Sequence, residues 1–259
     1  MASDNLDDLF QQARADGVIS GASAQALSIV DYGAEIQPAL GISVDDVPTS
    51  ETFLITILMD DSSSMESNRK LATAGFNMLI DDVMKNAPER ESILVHTQLL
   101  NAGLYCPFTF LEHVPRMTSA NYVPRGNTPL YDRTFLLLET LLRKLIEHQQ
   151  AAVFTRSATV IVSDGGDNAS RHHSPRSIAS LVHDLQRMET NLILAMGVND
   201  GQTDFRQVFR SMGLEDHHIL TPGSSPLEWQ RAFQFVTRTV SRATQGVSGF
   251  TAVSRHGIS

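Results

Sequence analysis

Residues 53–59, Phe-Leu-Ile-Thr-Ile-Leu-Met, form an almost unbroken apolar run of strand formers that ends abruptly at Asp60-Asp-Ser-Ser-Ser64. A strand with one wet face alternates polar and apolar residues. A continuous run needs cover on both faces, the condition of a strand inside a parallel sheet. The pattern recurs at 158–162, which also ends in a polar acidic turn, Ser163-Asp-Gly-Gly-Asp167. Parallel strands need crossovers, and helical periodicity supplies them at 65–84, 130–148, 175–188, 203–212 and 226–242. Pro175 stands where a first helical turn tolerates it. Further strands are expected at 92–99, 104–111, 191–198 and 217–220. Asn101-Ala-Gly103 between two of them favours an antiparallel hairpin. The whole reads as an α/β chain: a doubly wound, mainly parallel sheet with helices on both faces. Ligands in such folds gather at the carboxyl ends of the strands. Both acidic turns sit at such ends, so they are expected near one another.

The first fifty residues read differently. Residues 4–13 carry Leu6, Leu9 and Phe10 at helical spacing. Residues 20–27 carry a second helical pattern, opened by a cap at Ser20 or Ser23. Gly33, Pro38, Gly41, Pro48 and Ser50 then punctuate the chain. Residues 1–49 are read as a helical extension and linker, 50–245 as the main domain, and 246–259, rich in Gly and Ser, as a loose tail.

Charge narrows the function classes. Net charge is -9 over 259 residues. Phosphate backbones and anionic membranes select clustered Lys and Arg, so both are disfavoured as partners. No apolar run is long enough to span a bilayer, and the acidic start lacks a secretory pattern, so a cytoplasmic location is expected. Cys106, the single cysteine, sits in apolar sequence and reads as a small buried hydrophobe.

Asp60-x-Ser62-x-Ser64 places one carboxylate and two hydroxyls within one turn. Mg2+ takes hard oxygen ligands in a tight octahedron and needs neither His nor Cys. Read alone, these serines are a helix cap for the segment from Met65, Thr128 is a turn residue before Pro129, and Asp164 belongs to a Gly-rich turn. Asp61 reads as solvated or bonded to backbone. Asp167 and Asn168 read as loop-shaping residues. His172-His173 and His217-His218 are adjacent pairs with no partner at zinc-site spacing, and read as solvated or partly packed. Arg125 reads either as a surface residue or as a guide for an acidic ligand.

Three segments taken together resemble one family. The apolar strand followed by Asp60-Asp-Ser62-Ser-Ser64-Met65, the Gly126-Asn-Thr128-Pro129-Leu130 segment, and Val162-Ser-Asp164-Gly165 with Asp167-Asn168 resemble, in order, the three loops of a von Willebrand factor type A (vWA) domain. The resemblance covers roughly 52–242. It implies a Rossmann-like six-stranded sheet with one short antiparallel edge strand. It also implies a metal-ion-dependent adhesion site, with Ser62, Ser64 and Thr128 as direct ligands and Asp60 and Asp164 acting partly through water. The implied ion is Mg2+, with Mn2+ or Ca2+ as substitutes, and the implied ligand is an Asp or Glu carboxylate of a partner protein. Intracellular stand-alone members work beside AAA+ ATPases or in kinase and phosphatase systems, so the resemblance implies a scaffold of that type.

The alternative class is a Mg2+-dependent phosphohydrolase or phosphotransferase. Its chemistry requires an acid two residues after the nucleophilic Asp, where this chain has Ser62. The chain has neither a Gly-rich phosphate loop nor a Gly-x-Ser-x-Gly elbow. A third reading leaves the contacts to residues 1–49 or to the acidic surface.

Overall fold

A computed structural model describes residues 2–246 and Phe250. Its centre is β1 (Glu51–Met59), buried from Thr52 to Met59. Parallel neighbours flank it: β2 (Ile93–Leu99) on one side and β4 (Phe154–Ser163) on the other. Beyond β4 lie β5 (Asn191–Gly197) and the two-residue β6 (Ile219–Leu220), both parallel. Beyond β2 lies β3 (Gly103–Phe110), antiparallel through the tight turn at Asn101–Ala102. The order is β3-β2-β1-β4-β5-β6. This is the doubly wound, mainly parallel sheet that the sequence pattern predicts, with the antiparallel edge that the family resemblance implies.

Side chains alternate across the pleat of β1, so one strand feeds two cores. Phe53, Ile55, Ile57 and Met59 face α4 (Arg69–Asn86) and α8 (Pro226–Ala243). Leu54 and Leu58 face the other way, toward α5 (Leu130–Gln150) and α6 (Pro175–Arg187). A short helix, α7 (Phe205–Ser211), closes that layer with Phe205 and Phe209. Thr56 shares the Leu54 face, and its hydroxyl meets that of Thr159 at 2.7 Å, so neither buried hydroxyl is unpaired.

The N-terminal segment holds α1 (Ala2–Ala15), α2 (Gly21–Leu27) and α3 (Gly33–Ala39). The last of these is a difference from the sequence reading, which treats 33–49 as linker. Pro38 sits near the end of α3, where its ring costs the helix little. Phe10, Ala13, Leu27 and Ile36 join the core on the α5–α6 face. Charged side chains then grip the segment's backbone. Asp184 accepts from Ser20 N–H at 2.7 Å, Glu147 accepts from Val44 N–H at 3.0 Å, and Arg187 donates to Gly17 C=O at 3.0 Å. The tail expected at 246–259 falls mostly outside the described residues. Phe250, which is described, is buried in the α4–α8 core.

Candidate metal centre

The chain leaves β1 at Asp60 and does not enter a helix at once. Residues Ser63–Glu66 form a short 3-10 turn, and α4 begins only at Arg69. The sequence reading starts the helix at residue 65 and gives the serines a capping role. Ser62, at the head of the turn, makes no side-chain cap. Its Oγ lies 2.9 Å from Ser64 Oγ, and Ser64 Oγ donates to Asp164 Oδ1 at 2.6 Å. The helix-cap explanation of these hydroxyls is thereby removed.

Asp60 is fully buried, and Asp164 is 5% exposed. Asp60 Oδ1 accepts from Ser62 N–H at 2.8 Å, folding the turn back over the carboxylate. Its Oδ2 accepts from Ser163 Oγ at 2.6 Å and from Asp164 N–H at 3.4 Å, which ties the end of β1 to the end of β4. The two acidic turns thus meet, as the parallel pairing of β1 with β4 requires. Asn68 Nδ2 reaches Asp164 Oδ2 at 3.4 Å.

Thr128 arrives on a loop fixed from both sides. Gly126, at φ +74°, occupies backbone space that favours glycine, and a Cβ there would meet Asn101 Oδ1 at 2.6 Å. Its carbonyl accepts from Ser63 N–H at 3.2 Å and from Ser63 Oγ at 3.0 Å. On the far side, Thr128 N–H donates to Asn168 Oδ1 at 2.8 Å, and Asn168 N–H returns a bond to Thr128 C=O at 3.1 Å. Both bonds use the Thr128 backbone. Its hydroxyl stands over Gly165, where a Cβ would lie 3.3 Å from Oγ1. Asp60, Ser62, Ser64, Thr128 and Asp164 therefore converge at the carboxyl end of the sheet.

Burial pushes both carboxyls toward the neutral form. For Asp60 the desolvation outweighs the bonds from Ser163 and Ser62. Asp164 is pushed up to about 6 by burial, opposed by the Ser64 bond and reinforced by the Asp60 charge. Among the described residues, no Lys, Arg or His pairs with either carboxylate. Two buried carboxylates and three hydroxyl groups, with no side-chain cation to balance them, suit a small hard divalent cation in donor type and in sign.

Supporting residues given no role in the sequence reading include Ser163 and Tyr122. The Tyr122 hydroxyl donates to the Asp60 carbonyl in the buried floor. Ser163 had a legible signal, its place immediately before Asp164, but Tyr122 lies in a long loop with no periodicity. Asp61 is a backbone clamp: fully buried, it accepts from the N–H groups of Asn101 at 2.6 Å and Ala102 at 3.0 Å. Asp167 accepts from Tyr131 N–H at 3.2 Å. Among the described residues, no three His, Cys, Asp or Glu side chains gather into a metal-holding group. His173 stacks on Phe135 at 3.7 Å, and His218 is buried. The Cys106 thiol is pushed up to about 11 by burial, which keeps it un-ionised.

No protein-family model and no curated protein matches the sequence. Solved structures do match in shape. The vWF domain of the type V pili tip protein Mfa5 from Porphyromonas gingivalis aligns with 76% of this chain and 97% of that one, at 12% identity and a TM-score of 0.52. Proximal thread matrix protein 1 from the mussel byssus is 18% identical, with a TM-score of 0.48 over 74% of this chain. The chain spans only 46% of the mussel protein's length. The manganese-loaded TRAP protein of Plasmodium vivax is 12% identical, with a TM-score of 0.49 over 71% of this chain and 72% of that one. Together with the strand order and the antiparallel edge, the Mfa5 superposition shows that this chain has the von Willebrand factor type A fold.

Proposed function

We propose that the chain is a metal-dependent protein-interaction module and not an enzyme. In this reading Ser62, Ser64 and Thr128 offer hydroxyls to a divalent cation, and Asp60 and Asp164 supply the negative charge that retains it. Mg2+ is the ion best matched to small, hard oxygen donors, and Mn2+ or Ca2+ would substitute. Bound there, the ion would supply a Lewis-acidic positive point on an acidic protein, able to accept an Asp or Glu carboxylate from a partner. The carrying observation is the use of the serine hydroxyls. They bond to each other and to Asp164 in place of capping the helix behind them.

The acceleration of a reaction would need a positioned acid or base. Ser62 stands where a phosphotransferase of the aspartyl type places its second acid, and its N–H is spent on Asp60 Oδ1. The fold and the absence of a long apolar helix among the described residues are compatible with a scaffold inside the cell. We place it, on the family resemblance alone, beside an AAA+ ATPase or a kinase and phosphatase system.

The test is thermal unfolding with Mg2+ and with EDTA, for wild type and Asp60→Asn. Saturation at a hundredfold excess over Kd stabilises a folded protein by about 2.7 kcal/mol. Wild type should gain an upward shift in Tm with Mg2+ and Asp60→Asn none. Equal curves for wild type in both buffers would sink the reading.

A further inference from the structure

The surroundings of the metal centre are electrically lopsided along the sheet. On the β2 side stands Arg125, which is exposed. Arg125 N–H donates to Asp61 C=O at 2.6 Å, which anchors this loop beside the serine turn. On the β5–β6 side, a groove of about 840 Å3 starts at Ser64 and Asp164 and runs between α4 and the head of α8. Leu71 and Pro226 supply its apolar walls, and Asp200 and Glu228 its charges. No Lys, Arg or His lines it.

Both outer carboxylates are held in place. Asp200 Oδ1 accepts from Gln202 N–H at 2.8 Å and Thr203 N–H at 2.7 Å. Glu228 Oε2 accepts from Ser225 Oγ at 2.5 Å. A cation entering the groove therefore meets acceptors that need little further ordering.

A metal ion inverts the sign of the surface only where it sits. A partner segment with acidic residues on both sides of its metal-bound carboxylate would meet Asp200 and Glu228 with like charge. A Lys or Arg on that side would lay its methylene stem on Leu71 and Pro226 and its charge between the two carboxylates. The same cation placed on the other side would meet Arg125. We propose that the site selects a dipolar peptide segment: an Asp or Glu for the metal, with a Lys or Arg beside it that occupies the Asp200–Glu228 groove. This rests on the metal-dependent reading above and adds the partner's charge pattern and direction.

The experiment uses the full chain, immobilised in Mg2+, against phage-displayed random dodecapeptides eluted with EDTA. One eluted peptide is then titrated calorimetrically into wild type and into the double variant Asp200→Asn, Glu228→Gln. These substitutions keep the hydrogen-bond acceptors and remove the charges. Mg2+ affinity is measured in parallel. The expected result is enrichment of an acidic residue with Lys or Arg at a preferred spacing. The double variant should bind that peptide roughly five- to tenfold more weakly. Replacing the peptide's basic residue by Gln should remove the difference between the two proteins.

Enrichment of acidic residues without a basic neighbour would overturn the proposal and leave the metal-dependent reading standing. So would equal affinity of wild type and double variant, or a peptide loss that only mirrors lost Mg2+ affinity. If wild type yields no EDTA-eluted peptides, the metal-dependent reading itself falls, and the groove proposal with it.

Discussion

Ser64 would have two jobs in the proposed metal centre, and they are separable. Its hydroxyl donates to Asp164 at 2.6 Å in a part-buried setting. Ser64→Ala should cost about 1 kcal/mol of stability in EDTA, the usual worth of such a bond. Its effect on Mg2+ should be larger, at least about tenfold in affinity by calorimetry, if the same oxygen is a ligand. Asn168 makes the complementary case. It touches Thr128 only through the backbone pair of bonds at 2.8 and 3.1 Å. Asn168→Ala should weaken Mg2+ binding without removing any donor, and Asn168→Asp, which keeps the acceptor, should restore most of it. An Asn168→Ala protein with unchanged Mg2+ affinity would show that the loop holds Thr128 unaided. At this scale, the five proposed ligand positions are legible only jointly: read alone, each passes for a cap or a turn residue, and the resemblance of the three ordered segments to the vWA loops is what singles them out. Their supports were legible only in part: Ser163 adjoins a motif and Asp61 is open to a backbone-bonding role, but Tyr122 carries no signal. Tyr122 donates to a backbone carbonyl and Asp61 accepts from backbone N–H groups, and a backbone partner leaves no signature in residue type.

Among the elements, the long buried strands and amphipathic helices could be read directly, because a period of 3.6 or an unbroken apolar run survives local noise. The boundary at residues 63–68 could not. The apolar stripe of α4 extends back to Met65, yet the chain there is a 3-10 turn because its hydroxyls and N–H groups are committed to Asp60 and Asp164. Helix α3 was hidden behind Pro38 and two glycines. Gly41, just after it, has φ +55°, and a Cβ there would lie 2.0 Å from the Phe108 carbonyl oxygen. That oxygen is backbone and cannot step aside. Gly41→Ala should therefore destabilise by about 2 kcal/mol or more, from forced displacement and left-handed strain together. Gly201→Ala is the matched control. It has the same sign of φ at +79° but open space around the Cβ, so strain alone, about 1 kcal/mol, is expected there. Urea denaturation of the two variants measures the difference, and equal losses would mean that the Phe108 contact yields.

For the molecule as a whole, pH is the informative variable. His96, His148, His173 and His218 are each lowered to about 4, in every case chiefly by burial. An unfolded histidine titrates near 6.5. Between those values the unfolded chain binds more protons, so the folded state is progressively lost as pH falls from about 6.5 to about 4. Each site contributes up to about 3 kcal/mol by the lower limit. Glu139 works the other way. Burial, opposed by Arg143, pushes it up to about 7, so its contribution is present at low pH and fades as pH rises from about 4.5 to about 7. The raised carboxyls of Asp60 and Asp164 act in the same sense as Glu139, but the four histidines outweigh the three carboxyls, and acid unfolding is expected below about pH 5 in EDTA. Flat stability across that range would contradict the burial of the four rings. Composition could not foresee this, since nothing in the sequence separates these four histidines from exposed His172.

The sheet's two margins bear on how the protein behaves in a crowd. A strand margin with free N–H and C=O groups templates further strands from other molecules. On one margin β6 is only two residues long, too short to act as a template. On the other, Pro107 lies within β3 and has no N–H to offer. Phe108 C=O is already taken by Ile42 N–H at 2.9 Å. The N-terminal segment is in that sense a guard against fibre-like association as well as a cover for the core. A chain lacking residues 1–49 should therefore cloud at concentrations where the full chain stays clear, and light scattering at fixed temperature would separate that colloidal failure from simple unfolding.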